Sequence, residues 1–148
     1  MYRNGFQNYK RARVETADPK KLVILCYDEA ISQIRMARQL CVDRNYEGKS
    51  RALLKAQDIV CELQCALDFE KGGIIAKNLD SLYTYAKARL IQGDLGKDLA
   101  AMDEVVGVLS ELKSAWEQAF RALEKAGGSL PIAPAPKGEG RALGAAAF

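Results

Sequence analysis

Two neighbouring segments of this chain, separated by the glycine pair Gly72 and Gly73, carry apolar residues at three- and four-residue intervals. After the pair, the positions on this spacing are Ile75, Leu79, Leu82, Tyr83, Ala86 and Leu90. Residues three and four apart lie on one face of an α-helix, so the pattern predicts two long helices that the glycines separate. The apolar stripe of the second helix is broad, which indicates that this helix lies deep in a bundle or divides its surface between a core and a partner.

The same periodicity continues along the chain and predicts four helices. The first begins at Asp18 and Pro19, because an aspartate side chain accepts hydrogen bonds from the first turn and proline is tolerated at the first helical position. The predicted helices cover residues 19–41, 49–69, 74–92 and 97–125. Helices of about twenty residues or more are about 30 Å long or longer, and such short connections between them favour antiparallel neighbours. We therefore expect an all-α fold, an antiparallel up-down four-helix bundle over residues 18–126.

The two ends of the chain differ in composition from this helical part. Residues 1–21 hold six basic and two acidic side chains, which gives a net charge of +4. Three of the four prolines follow Gly127, in a stretch with too little apolar mass for a second core. We expect residues 1–17 to form a flexible basic arm and residues 127–148 a disordered tail rich in proline, alanine and glycine.

The side chains on which enzymes of this architecture depend are missing. The sequence contains no histidine, which excludes Glu-x-x-His metal pairs, Ser/His and Cys/His nucleophiles and acid-base catalysis by histidine. It also contains no glycine-rich phosphate-binding loop. We therefore predict that the protein is not an enzyme and that it has no catalytic residues and no cofactor.

Four cysteines are present: Cys26, Cys41, Cys61 and Cys65. A tetrathiolate zinc site is conceivable, but the CxxC pairs typical of such sites are absent, and cysteine readily packs as a small hydrophobe. We favour buried structural cysteines and no metal. No run of eighteen apolar residues and no secretory signal occurs, so we expect a cytosolic protein with reduced thiols and no membrane insertion.

Three blocks of the sequence, in their order and spacing, resemble the FliS family of bacterial flagellar export chaperones. The blocks are VETADPKKLVILCYDEAI, LDFEKGGIIAKNLDSLYTYAKARL and EVVGVLSELKSAWEQ. The resemblance covers about residues 4–120. It implies a four-helix chaperone of the cytosol that binds the disordered C-terminal segment of flagellin, prevents premature polymerisation and delivers this client to the export gate of the flagellar type III secretion apparatus.

Apolar stripes on three of the predicted helices are the candidates for the client-binding groove. They comprise Leu22, Leu25 and Cys26 on the first helix, Ile59 and Leu63 on the second, and Ile75, Leu79, Leu82, Tyr83 and Tyr85 on the third. Some must instead be core, since apolar stripes at helical spacing are usually interior. In the arm, Phe6 and Tyr9 match the family's apolar-x-x-Tyr element, which the resemblance links to docking on the export gate or to covering the empty groove.

Two other functions remain open from the residues themselves. The unbroken apolar run over residues 22–27 could serve a self-associating scaffold, which would make the protein a homodimer without a flagellin client. The basic arm could bind nucleic acid, but no basic face continues along the helices, so we expect no nucleic-acid partner.

Overall fold

A computed structural model describes residues 18–126, which form four α-helices. In chain order they are α1 (Pro19–Val42), α2 (Tyr46–Cys65), α3 (Phe69–Gly96) and α4 (Leu99–Ala126). The helices pack in a ring, since α1 and α3 each contact both α2 and α4. The expected antiparallel up-down four-helix bundle is confirmed. The predicted arm (1–17) and tail (127–148) lie outside the described residues.

Ion pairs between α1 and α4 display the antiparallel register of the bundle. Arg38 of α1 lies 2.7 Å from Asp103 of α4. Asp28, ten residues earlier in α1, lies 2.6 Å from Lys113, ten residues later in α4. The beginning of α1 therefore lies beside the end of α4.

The predicted bounds of the second helix, residues 49–69, differ at both ends from the observed α2, Tyr46–Cys65. Side-chain caps decide where α2 and the following helix begin. Asn45 accepts a hydrogen bond from the amide of Gly48 at 3.0 Å, and α2 begins directly after this cap. Asp68 accepts hydrogen bonds from two amides in the first turn of α3, both at 3.0 Å, and α3 begins at Phe69. Both caps satisfy backbone donors that have no partner within their helix.

The glycine pair lies within the range of α3, and at Gly73 the backbone leaves the helical conformation. The pair therefore separates a short helical segment, residues 69–72, from the long remainder of α3, whereas the expectation that it ends the second helix is wrong because α2 ends at Cys65. Gly73 has a φ of 51° and a ψ of −126°, and it kinks α3 between residues 69–72 and the long remainder. Glycine adopts this backbone conformation without the strain that a Cβ causes. A Cβ here would meet no atom within 4 Å, so backbone conformation, and not space, requires the glycine.

Three hydrogen-bonded aromatic side chains lie in the core, and we call them the aromatic trio. Nε1 of Trp116 donates to the hydroxyl of Tyr27 at 2.9 Å, and the hydroxyls of Tyr27 and Tyr83 lie 2.5 Å apart. Burial raises the pKa of Tyr83 to about 12 and also raises the pKa of Tyr27, so both phenols are protonated at neutral pH. The trio joins α1, α3 and α4 through contacts that require a defined geometry.

A buried ion pair joins α2 to α3. Lys49 is 3% exposed, and its ammonium lies 2.7 Å from the Asp94 carboxylate and 2.7 Å from the Asp94 carbonyl oxygen. Ser50 donates to the same carboxylate at 2.7 Å. Burial acts to raise the pKa of Asp94, but the hydrogen bonds from Lys49 and Ser50 outweigh it and hold the pKa below its ordinary value. Asp94 is therefore ionised at neutral pH.

Candidate docking surface

The structure divides the ten candidate groove residues between the core and the surface. Six are buried in the bundle: Leu22, Cys26, Ile59, Leu63, Leu79 and Tyr83. Leu25 is half-buried. Ile75, Leu82 and Tyr85 are exposed by 58%, 37% and 44%, respectively. In this structure, a partner can therefore reach the candidates on α3 most directly.

The three exposed candidates lie on one side of α3. Leu82 follows Ile75 by seven residues, which is close to two helical turns, and Tyr85 follows Leu82 by three. The buried face of α3 includes Leu79 and Tyr83, so the exposed side chains border the core on one flank of the helix. Apolar surface that adjoins a core in this way is the kind of surface that partners cover.

Contacts with α4 identify which flank this is. The hydroxyl of Tyr85 donates a hydrogen bond to the carboxylate of Glu104 on α4. Val108 and Leu112 follow Glu104 at four-residue intervals, which places them on the same side of α4. Both are half-buried. From this contact and the helical period we infer that α3 and α4 face each other along one flank that carries Ile75, Leu82, Tyr85, Val108 and Leu112, and we call this flank the α3–α4 seam.

Charged groups close the seam at one end. Arg89 donates to Glu104 at 2.7 Å, so this carboxylate accepts hydrogen bonds from Tyr85 and Arg89 together. These two hydrogen bonds lower the pKa of Glu104, and the same contact with Glu104 raises the pKa of Tyr85. At neutral pH the carboxylate is ionised and the phenol is protonated. The phenol ring thus offers apolar surface while its hydroxyl is held in place.

Two further exposed apolar side chains in the first turns of α3 were absent from the candidate set. Phe69 and Ile74 are exposed by 48% and 73%, and they lie before and directly after Gly73. In the sequence, both residues are marked only as apolar side chains that lie outside the buried stripe of α3. That signal alone does not separate them from Leu54 or Ile91, which are also exposed but lie elsewhere on the bundle.

The cysteines divide differently from the expectation that all four are buried. Cys26 and Cys41 are buried, whereas Cys61 and Cys65 are exposed on α2. The expectation is wrong for the second pair because these positions lie off the buried stripe, which includes Ile59 and Leu63.

Neither a metal site nor a membrane span occurs in the described part of the chain. No group of three or more cysteine and acidic side chains in residues 18–126 is arranged to hold a metal ion. Across the same residues, no helix combines the length and the apolar character that crossing a membrane requires. The described residues form a helical bundle that exposes apolar side chains beside its core, and this arrangement is typical of bundles that bind protein partners.

Comparison with known proteins places this bundle in a family. The sequence profile of flagellar protein FliS matches residues 2–123, so the chain belongs to the FliS family. The flagellar secretion chaperone FliS of Salmonella typhimurium is 38% identical over 120 residues, covering 78% of this chain and 89% of that protein. The flagellar secretion chaperone FliS of Bacillus subtilis is 30% identical over 122 residues, covering 82% of this chain and 90% of that protein.

A solved structure shows the same fold. The crystal structure of a flagellar chaperone from bacteria aligns with a TM-score of 0.66 at 21% identity and covers 80% of this chain and 97% of that one. Membership of the FliS family makes this protein an export chaperone and not an enzyme.

Proposed function

We propose that this chaperone binds the C-terminal segment of flagellin in the cytosol, prevents its premature polymerisation and delivers it to the export gate of the flagellar type III secretion apparatus. Family membership supports the chaperone role. The observation that carries the proposal is the α3–α4 seam, where Leu82 and Tyr85 are exposed beside the core. A groove between two helices suits an amphipathic client helix.

The seam supplies the kind of free energy that a chaperone needs. Each large apolar side chain that becomes fully buried contributes about 1.5–3 kcal/mol, and Ile75 and Leu82 both have area left to bury. A disordered client that orders on binding loses about 2–5 kcal/mol or more of the gross interaction energy. Because these two terms are of similar size, tight binding requires a client interface that extends beyond these two side chains.

We divide the candidate groove residues into two roles. Ile75, Leu82 and Tyr85 contact the client, whereas the half-buried Leu25 lies between α1 and α4 and is not assigned to the seam. The six buried candidates belong to the core of the bundle and stabilise its fold: Leu22, Cys26, Ile59, Leu63, Leu79 and Tyr83.

The test is calorimetric titration with a peptide that copies the C-terminal helical segment of flagellin from the same organism. We expect one-to-one binding with a clearly negative heat-capacity change, since apolar surface is buried. Leu82→Glu should weaken binding at least tenfold, about 1.4 kcal/mol, because binding would bury a carboxylate without a partner.

A matched control on the same helix is Ile91→Glu. Ile91 is 47% exposed, but it lies nine residues from Leu82, which is about half a turn around the helix. We expect this variant to bind like the unmodified chain. Absence of binding by the folded, unmodified chain would refute the flagellin client, whereas equal weakening by both variants would refute the seam as its site.

We place docking on the export gate, or covering of the groove before a client binds, at Phe6 and Tyr9. This proposal rests on the family's apolar-x-x-Tyr element, and both residues lie outside the described part of the chain. Replacing both with alanine should leave the bundle folded and impair flagellin secretion. Unchanged motility together with normal flagellin secretion would contradict this assignment.

A further inference from the structure

A second concave surface lies between the beginning of α1 and the end of α4. It is a cavity of about 500 Å³ that includes the apolar side chains Ile24, Leu25 and Phe120. Ile24 packs against the core, and Phe120 stacks on Trp116 with ring centroids 5.4 Å apart, so the floor of the cavity is fixed by the bundle. We call this the α1–α4 pocket.

The charges around the pocket balance. Three acidic and three basic side chains line it: Asp18, Glu117, Glu124, Lys20, Lys21 and Arg121. An uncharged apolar segment can therefore occupy the pocket without meeting a net charge of either sign. Burying a charged segment there would require a partner for each added charge.

From these observations we infer that the segment Leu130 to Ile132 of the same chain covers the α1–α4 pocket. The segment follows α4 closely, since α4 ends at Ala126. It lies beyond residues 2–123, which match the FliS family, so this contact is particular to the extension of this chain.

The segment has the reach to make this contact. Phe120 lies six residues before the end of α4, which is about 9 Å along the helix axis. Leu130 follows Ala126 by four residues, which span up to about 14 Å. Gly127 and Gly128 stand at the point where the chain must reverse, and glycine accepts the backbone conformations that a reversal needs.

Composition favours this segment over the other free end of the chain. Residues 129–136, SLPIAPAP, carry no charge, which matches the balanced rim of the pocket. Asp18, which lines the pocket, is preceded in the chain by residues 1–17, which hold four basic side chains and one acidic side chain. Binding the arm there would bring excess positive charge to a neutral rim.

Only residues 127–129 connect α4 to the segment that begins at Leu130, so even a weak contact with the pocket is formed in a large share of the molecules. A flexible linker of a few residues gives an effective concentration in the millimolar range, so the tail segment binds within the molecule where a separate peptide of the same sequence would bind poorly. Two apolar side chains and an intervening proline, which limits the conformations that binding must order, suffice for such a contact.

The test is methyl and aromatic NMR on the full chain without a client, so its result does not depend on flagellin binding. We expect nuclear Overhauser contacts between the Ile132 methyls and the Phe120 ring. The double substitution Leu130→Ser with Ile132→Ser should abolish these contacts and shift the methyl signals of Ile24 and Leu25. The control Leu143→Ser, farther along the tail, should leave the same signals unchanged.

Three outcomes would overturn the inference. The first is the absence of any contact, with the pocket signals identical in the double variant and the unmodified chain. The second is a set of contacts from Phe6 or Tyr9 to the pocket, which would make the arm the occupant. The third is the appearance of the contacts only between differently labelled molecules, which would make a second copy the occupant.

Discussion

The aromatic trio gives the sharpest test of how the core is held together. Tyr27 takes part in both hydrogen bonds of the trio, one with Trp116 at 2.9 Å and one with Tyr83 at 2.5 Å. Tyr27→Phe breaks both bonds and strands polar groups in the core, which should lower the free energy of unfolding by about 2–3 kcal/mol. Tyr83→Phe breaks one bond and leaves Tyr27 paired with Trp116, so we expect a loss of about 1 kcal/mol.

The double variant separates this reasoning from ordinary packing losses. Once Tyr27→Phe has broken the Tyr27–Tyr83 bond, Trp116 is the polar group that remains beside the hydroxyl of Tyr83. Removing this hydroxyl should then cost less than it does in the otherwise unmodified chain, so the two effects do not add.

Urea unfolding measures all of these free energies, with far-UV circular dichroism as one probe and the fluorescence of the single tryptophan as the other. The reasoning is refuted if Tyr83→Phe costs the same in both backgrounds, or if it costs more than Tyr27→Phe in the otherwise unmodified chain.

Three further predictions concern the backbone, an ion pair and the thiols. Gly73→Ala should cost about 1–3 kcal/mol in urea unfolding because of its φ of 51°, whereas Gly107→Ala, in open space on α4, should stabilise by about 0.5–1 kcal/mol; equal effects would contradict the conformational argument. Because folding lowers the pKa of Asp94 below its ordinary value of 3.8, the ionised carboxylate stabilises the folded state at any pH above 3.8. This stabilisation is lost as the pH falls through the pKa that Asp94 has in the folded protein. The unmodified chain and Asp94→Asn should therefore differ in free energy of unfolding by a constant amount near neutral pH and by less in acid. A difference that stays unchanged in acid would contradict the role of the Asp94 carboxylate. A thiol reagent should modify Cys61 and Cys65 quickly in the native protein and the buried pair only on unfolding, and four equally fast thiols would disprove the assigned exposures.

Much of the fold could be predicted from the spacing of apolar residues, because the residues that a helix buries recur with the period of the helix itself. The first helix, predicted over residues 19–41, is observed as Pro19–Val42, and its cap at Asp18 accepts the amide of Lys20 at 3.0 Å. The fourth, predicted over 97–125, is observed as Leu99–Ala126. Apolar side chains of α1 that recur at helical spacing, such as Tyr27 and Ile34, are fully buried.

The connection between α2 and α3 could not be predicted in the same way. The apolar periodicity of the sequence predicts that the second helix continues to Phe69 and ends at the glycine pair. In the structure, the carboxylate of Asp68 binds two amides of the following turn, which starts α3 before the glycines. Gly73 then leaves the helical conformation and separates the short first segment of α3 from its long remainder. The local hydrogen bonds of the Asp68 cap, and not the apolar periodicity, therefore set the boundary between α2 and α3.

The candidate surface shows where sequence information ends. The sequence by itself determined that α3 carries an apolar stripe too broad for one contact, because residue order fixes which side chains share a helix face. It could not rank Ile75, Leu79 and Leu82, which share that face. Only the tertiary structure left Ile75 58% exposed and Leu79 7% exposed, since exposure depends on how closely α2 and α4 approach each flank of the helix. The position of the neighbouring helices, and not the period of the stripe, therefore decides which apolar side chains a partner can reach.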